Sequence, residues 1–191
     1  MNAAITVSGR EVEYDTAAAG YNEAYPISVD VEHHKIHEEK HFIAQDIDLS
    51  VDITGPKYWL LKSPNTATRC HVTFAIRTGG PGVAEGFKLA TVSANGTEIT
   101  SSNSDFNSSN TAELDVFYDP TVTDDGTRVC VNWMGNNTAA PTGDIGGTSK
   151  RENEFILKQN DNFLVKFTPS NDGTEVSLCI DWYEVPDNTT G

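Results

Sequence analysis

Apolar and polar residues alternate along most of the chain with a period of two, which predicts β-strands. From Ile47 to Ile53 the odd positions are apolar and the even positions carry Asp or Ser, so this segment is predicted to be a half-buried strand with its carboxylates in solvent. No ten-residue segment has the 3.6-residue period of an amphipathic helix. The chain is therefore predicted to be all-β, a β-sandwich or jelly roll of roughly nine or ten strands.

The pattern is absent from the start of the chain. Residues 1–25 show neither period and contain the weakly structured run AAAG, so we predict an extended N-terminal arm that is ordered by docking. Residues 26–191 are predicted to form one jelly-roll-like domain. Within it, residues 135–150 hold four Gly and one Pro and are predicted to be a long loop.

Three turn segments contain Asn-Gly or Asp-Gly, with the glycine at Gly96, Gly126 and Gly173. Such pairs favour tight hairpins because both residues tolerate a positive φ. The first two turns lie thirty residues apart, but their flanks do not match. We therefore interpret the three segments as independent hairpin turns rather than as parts of an internal repeat.

The chain has 191 residues and carries 28 acidic against 13 basic side chains, which gives a net charge of −15. This charge argues against binding to nucleic-acid phosphate, and no apolar run is long enough to span a membrane. Eleven acidic residues and two lysines lie in residues 11–54, so we expect this part to dock on a basic surface in a salt-sensitive way. The start has no signal-peptide pattern, and the three cysteines are predicted to be reduced core residues.

Four of the five histidines, His33, His34, His37 and His41, lie within nine residues. Either a helix or a strand would place the first, third and fourth of them on one face, where imidazoles could bind Zn²⁺. A pH-sensitive interface and a solvated connector are the other interpretations of this segment. We assign it no metal, and we assign the chain no cofactor.

Catalytic patterns are weak. Cys70 and His71 are neighbours on a strand and should point to opposite faces, so they cannot act together. Asp46, Asp48 and Asp52 suggest a solvated strand face or a weak Ca²⁺ site. Five aromatic residues could form a sugar-stacking platform: Tyr58, Trp59, Trp133, Trp182 and Tyr183. Trp59 and Trp182 lie in apolar strand runs, so core packing is the favoured interpretation.

Several strings have a familiar arrangement: DPTVT at 119–123, RENEFILK at 151–158, DWYE at 181–184, and a histidine-bearing stretch leading into His41-Phe42. Together they resemble a group of small β-rich proteins of tailed bacteriophages that decorate or cement the capsid. The resemblance covers about residues 26–185. It implies a jelly-roll or sandwich fold, a homotrimer, binding to the major capsid protein, and no catalytic motif.

We therefore expect a non-enzymatic capsid decoration protein on the exterior of the virion, present in the host cytoplasm before assembly. Its capsid-binding residues are predicted in the arm and in the histidine segment: Tyr14, Tyr21, Tyr25, His33, His34, His37 and His41. Tyrosine suits such a role because its large rigid ring is ordered at low entropic cost. The alternatives are a carbohydrate-binding or receptor-binding β-sandwich module and, third, a glycoside-active enzyme with two facing carboxylates.

Overall fold

The computed structural model describes residues 4–7, 10–14, 26–28, 31–134 and 154–186, and within them it contains sixteen strands and one helix. The strands are β1 (Ala4–Val7), β2 (Arg10–Tyr14), β3 (Pro26–Ser28), β4 (His41–Val51), β5 (Lys57–Lys62), β6 (Thr68–Thr78), β7 (Gly82–Lys88), β8 (Thr91–Ala94), β9 (Thr97–Glu98), β10 (Ser102–Asn103), β11 (Asp115–Tyr118), β12 (Thr121–Asp124), β13 (Thr127–Met134), β14 (Phe155–Ile156), β15 (Asn162–Pro169) and β16 (Thr174–Pro186). The helix, α1, spans Val31–His37. The prediction of an all-β chain is confirmed.

Two antiparallel sheets make up the body of the protein. One has the order β10-β4-β16-β6-β14, and the other has the order β13-β7-β15-β5-β11-β9. Strands β8 and β12 pair with each other in a separate two-stranded sheet. The N-terminal segment, predicted as an arm without regular structure, contains strands β1 and β2, which pair with each other, and β2 also pairs with β3.

The main core contains residues from both large sheets, as expected for a β-sandwich. Trp59 of β5 and Trp182 of β16 are fully buried in it, which confirms their interpretation as core residues. The ring of Phe42 stacks on that of Trp182 at a centroid distance of 5.8 Å. Large aromatic side chains contribute much of the buried apolar area in such a core.

Strand β4 presents its residues to the opposite faces from those predicted. Ile47 and Leu49 are each 64% exposed, whereas Asp46 and Asp48 approach the six-stranded sheet. The Asp46 carboxylate accepts a hydrogen bond of 2.7 Å from the indole N–H of Trp59. The prediction that these carboxylates lie on a solvated face is therefore wrong, because a buried indole and a buried lysine need acceptors at this position.

That lysine is Lys57, the first residue of β5, and it is only 6% exposed. Its ammonium group lies 3.0 Å from Asp119, 3.2 Å from Asp48 and 3.8 Å from Asp46, and 4.8 Å from the centre of the Tyr118 ring. Burial opposes the charge, but the hydrogen bonds that Lys57 donates to Asp119 and Asp48 outweigh burial and raise its pKa. The Lys57 ammonium thus links the two sheets by its contacts with carboxylates of β4.

A β-bulge explains why the alternating apolar residues of β4 do not all share one face. The register with β16 changes from Asp48 opposite Val176 to Val51 opposite Thr174, so two residues of β4 stand opposite one of β16. One extra residue exchanges the two faces of a strand. Val51 beyond the bulge is consequently buried, although it has the same parity as the exposed residues before it.

The three predicted turn glycines do adopt positive φ, +92° at Gly96, +84° at Gly126 and +70° at Gly173. None of them closes a hairpin, so that interpretation is wrong: β8 pairs with β12, β13 pairs with β7, and β15 and β16 lie in different sheets. At Gly126 an added Cβ would lie closer than 3.0 Å to the carbonyl oxygen of Lys88. Glycine is required there by this close backbone approach as well as by its φ.

The first two glycine turns belong to an internal repeat with a local two-fold relation. Leu89 and Asp119, thirty residues apart, both have positive φ, as do Gly96 and Gly126. The pairing of residues 117 and 118 with 98 and 97 repeats the pairing of residues 87 and 88 with 128 and 127. The structure therefore favours the repeat that the unmatched flanks had argued against.

The cysteines are only partly as predicted. Cys70 is buried in the main core, and burial raises the pKa of its thiol. Cys130 and Cys179 are half-buried instead, because Cys130 lies on the edge strand β13 and Cys179 on the outward side of β16. All three are free thiols. In the described part of the chain no helix has the length and apolar character needed to cross a bilayer.

Candidate functional site

The histidine-bearing segment folds as helix α1, a tight turn and the start of β4. The helix ends in a turn in which Glu39 has a φ of 58° and the backbone N–H of Lys40 donates to the carbonyl of Lys35 over 3.0 Å. This is the usual left-handed ending of a helix, here with glutamate in the position that glycine most often takes. The turn brings the chain back along the sheet and makes His41 the first residue of β4.

Ser104 fixes the imidazole of His41, which is 4% exposed. The Ser104 hydroxyl lies 2.6 Å from Nδ1 of His41, and the Ser104 backbone N–H donates to the His41 carbonyl over 2.9 Å. Ser104 follows the short strand β10, which pairs with β4. The Ser/Asn-rich stretch of residues 101–110 therefore supplies a partly buried contact to the site.

Two carboxylates face the other nitrogen of His41. Its Nε2 atom lies 3.2 Å from a carboxylate oxygen of Glu32 on α1 and 3.9 Å from one of Asp181 on β16. Neither approach forms a hydrogen bond, so Nε2 is a buried nitrogen with no hydrogen-bond partner. The Asp181 carboxylate is itself held by the Thr73 hydroxyl, which donates to it over 2.7 Å. We call Glu32, His41 and Asp181 the carboxylate–histidine cluster.

A second polar group lies beside this cluster on the same face of the five-stranded sheet. Tyr183 stands opposite His41 on one side and opposite His71 on the other, and residues directly opposite in a sheet share a face. The Tyr183 hydroxyl lies 2.9 Å from Nδ1 of His71, and the two rings stack at 4.5 Å. Glu154 also contacts Nδ1 of His71 and accepts a 3.2 Å hydrogen bond from Tyr183.

The predicted histidines are thus divided rather than combined. His33 and His37 lie one turn apart on α1, with their Nε2 atoms 3.1 Å apart, and His34 pairs with Glu38 at 3.1 Å. His41 belongs to the sheet and forms its own cluster. The single face expected for the first, third and fourth histidines does not exist, because the helix ends at His37.

The arm residues of the prediction fall mostly outside the described structure. Tyr14 is the last residue of β2, while Tyr21, Tyr25 and the predicted loop 135–150 lie outside the described residues. Their role in binding stays a prediction.

Two further carboxylates, Glu113 and Glu184, line a cleft of about 370 Å³ near the end of β16. Glu184 accepts hydrogen bonds from the backbone N–H groups of Glu113 and Leu114, at 2.8 and 3.0 Å, and from the Trp182 indole at 3.1 Å. Burial raises the pKa of Glu184, although these donors oppose the shift. Glu113 accepts from two threonine hydroxyls. Both carboxylates therefore anchor a loop to the sheet.

Large apolar side chains are exposed on both sheets. On the five-stranded sheet, Ile47 and Leu49 are adjacent on one face of β4, and we call this pair the β4 apolar row. On the six-stranded sheet, Val129, Val131 and Trp133 lie along one face of the edge strand β13, and Trp133 is 61% exposed. Exposed apolar residues that lie next to one another are candidates for surfaces that contact other molecules.

Of the aromatic residues considered for a sugar platform, Trp59, Trp182 and Tyr183 are buried. Tyr58 is half-buried, with the Lys166 ammonium 5.4 Å from the centre of its ring. Among these five, only Trp133 presents a largely exposed ring.

Comparisons of the chain with protein-family models, with curated proteins and with solved structures gave no match.

Proposed function

We propose that this chain is a non-enzymatic structural protein of a tailed-phage virion that binds the major capsid protein on the outside of the head and stabilises the capsid. The observation that carries the proposal is the β4 apolar row, where Ile47 and Leu49 are exposed on a strand that pairs with β16. A strand that needed only to complete the sandwich would carry polar residues at these positions. Apolar side chains there suit a surface that is covered by a partner.

Three further features support a role in binding. The β-sandwich is the fold that the resemblance to capsid decoration proteins implies. The carboxylates that line the cleft at the end of β16 are occupied by structural hydrogen bonds, which argues against a hydrolase that uses them. The acidic residues gathered in residues 11–54 would complement a basic partner surface and make binding sensitive to salt.

A homotrimer is part of the proposal, because three copies bound to one lattice would turn weak contacts into avidity. Sedimentation equilibrium of the purified chain tests this directly. A mass of three chains is expected, and a monomer at all accessible concentrations would contradict the trimer.

The capsid-binding proposal is tested by co-sedimentation of the full chain with heads assembled from the major capsid protein of the virus that encodes it. The variant carrying Ile47→Ser and Leu49→Ser should bind at least about 10-fold more weakly, since a few central apolar residues carry most of the energy of an interface. A control with Val129→Ser and Val131→Ser changes a somewhat less exposed apolar row on the other sheet, 39% and 54% exposed, and should bind normally. Equal binding by both double variants, or no binding by the unaltered chain, would overturn the proposal.

The exposed ring of Trp133 favours a second candidate, the carbohydrate-binding or receptor-binding module. A glycan array probed with the full chain and with Trp133→Ala tests it. Binding to a glycan that the substitution removes would support this module. An array with no bound glycan would refute its carbohydrate form.

A further inference from the structure

The carboxylate–histidine cluster has a feature that its protein contacts leave unexplained. His41 is buried, yet its Nε2 atom has no hydrogen-bond partner and is directed toward two carboxylates. A buried polar atom without a hydrogen-bond partner destabilises the folded state. Native structures usually avoid this cost unless an ion, a water molecule or a functional role accounts for it.

The arrangement of donor atoms fits a metal ion. The three donor atoms, one each from Glu32, His41 and Asp181, all lie within 4.8 Å of one another. Ligands at about 2.0–2.2 Å from a tetrahedral Zn²⁺ ion are separated by about 3.3–3.6 Å. The two separations from Nε2, 3.2 and 3.9 Å, bracket this value.

The neighbours of the cluster also have the arrangement that metal ligands need. Ser104 lies 2.6 Å from Nδ1 of His41, so Nδ1 can donate its proton there and leave Nε2 to bind an ion. Thr73 holds the Asp181 carboxylate by a 2.7 Å hydrogen bond. Such outer contacts orient a metal ligand before the ion arrives.

The charges select the class of ion. Two carboxylates balance a divalent cation, and an imidazole nitrogen favours a transition metal over Ca²⁺, which takes oxygen ligands. We propose that Glu32, His41 and Asp181 bind one divalent transition-metal ion, with Zn²⁺ as the preferred ion. The ion would join α1 to β4 and β16, and so would fix the histidine-bearing segment against the sheet.

The main competing site for Zn²⁺ is the pair His33 and His37 on α1, whose Nε2 atoms lie 3.1 Å apart. The experiment must separate the two sites. The full chain is dialysed against a chelator, returned to metal-free buffer at neutral pH and titrated with Zn²⁺ by calorimetry. Zn²⁺ is the suitable probe because it binds imidazole and carboxylate ligands and has no redox chemistry that would complicate the titration.

We expect one Zn²⁺ per chain. Asp181→Asn keeps the shape of the side chain and an acceptor for Thr73, and it should weaken binding at least about 10-fold. Glu32→Gln, on α1 and outside the large sheets, should do the same even if the substitution in β16 disturbs folding. The matched control that carries His33→Asn and His37→Asn should leave the affinity unchanged.

Two results would overturn the proposal. One is the absence of stoichiometric Zn²⁺ binding by the unaltered chain. The other is binding that survives both Asp181→Asn and Glu32→Gln, since the cluster then does not hold the ion. If that binding is lost in the variant with His33→Asn and His37→Asn, the helix histidines hold it instead.

Discussion

Lys57 offers the sharpest test of how the two sheets are held together. Its ammonium group is buried and lies within 4 Å of Asp46, Asp48 and Asp119. Lys57→Met keeps most of the length of the apolar stem but removes the charge, leaving three carboxylates with no cation among them. We expect a large loss of stability, since the remaining carboxylates repel one another and two of them are partly desolvated.

The size of the loss follows from how exposed the partners are. Removing one partner of a fully buried ion pair costs about 3–5 kcal/mol. The Asp119 side chain is 59% exposed and keeps much of its hydration, so the lower end of that range applies. We expect the free energy of unfolding to fall by about 3 kcal/mol. For a chain of this size that corresponds to a fall in Tm of about 6–12 °C.

The measurement is urea unfolding followed by fluorescence of the buried tryptophans Trp59 and Trp182 at pH 7. The matched control is Lys166→Met. Lys166 pairs with a single carboxylate, Asp125, at 2.8 Å and lies in a more exposed place on the same sheet. Its loss should cost about 1 kcal/mol or less. Equal costs for the two variants would refute the argument that burial and multiple partners determine the effect.

The pH dependence gives a second check on the same cluster. The Lys57 pKa is raised, so its stabilising effect is present below the ordinary lysine value of about 10.4 and is lost as the pH rises through the raised value. The Asp48 pKa is lowered, first by the Ser50 backbone N–H and then by Lys57, so its effect is present above about 3.9 and is lost as the pH falls through the lowered value. The decrease in the free energy of unfolding caused by Lys57→Met should therefore be largest between about pH 4 and pH 10 and should be smaller at pH 3. A cost that is the same at pH 3 and pH 7 would contradict the electrostatic explanation.

Two further predictions concern a backbone corner and a buried carboxylate. In urea unfolding, Gly126→Ala should lower the free energy of unfolding by about 1–3 kcal/mol more than Gly173→Ala does. An added Cβ at Gly126 meets the Lys88 carbonyl, whereas one at Gly173 meets nothing within 4 Å. Equal losses would show that the positive φ alone determines the effect. Burial raises the pKa of Glu184, so the unaltered chain should lose stability as the pH rises above about 4.3. Glu184→Gln retains an acceptor oxygen and should lack that decline, so parallel pH profiles of the two proteins between pH 4 and pH 8 would contradict the assignment.

Local patterns in the sequence predicted the fold class but not every face. Trp59 and Trp182 lie in apolar strand runs, and both are core residues in the structure. The faces of β4 could not be read from alternation, because a bulge depends on pairing with β16, which lies far along the chain. Ile47 and Leu49 were consequently expected inside.

The candidate site was found only in part. The cluster of histidines pointed to the correct segment, but α1 is too short to give a helical period, so the division between helix and strand was not foreseen. Glu32 adjoins the histidines in the sequence, whereas Asp181 joins them only through the pairing of β16 with β4. Ser104 lies in a stretch whose composition is typical of exposed loops. No local signal could have assigned it to the site.

The central position of β16 has a consequence for synthesis of the chain. β16 lies between β4 and β6, although it is the last of the described strands in chain order. β6 ends at Thr78 and β16 begins at Thr174, so at 5–20 residues per second a ribosome needs about 5–20 s to make the intervening chain. During that time β4 and β6 have unpaired edges that can associate with other chains. Asp46 and Asp48, which bind Lys57 in the folded protein, place negative charge on β4 while it is unpaired and so oppose such association.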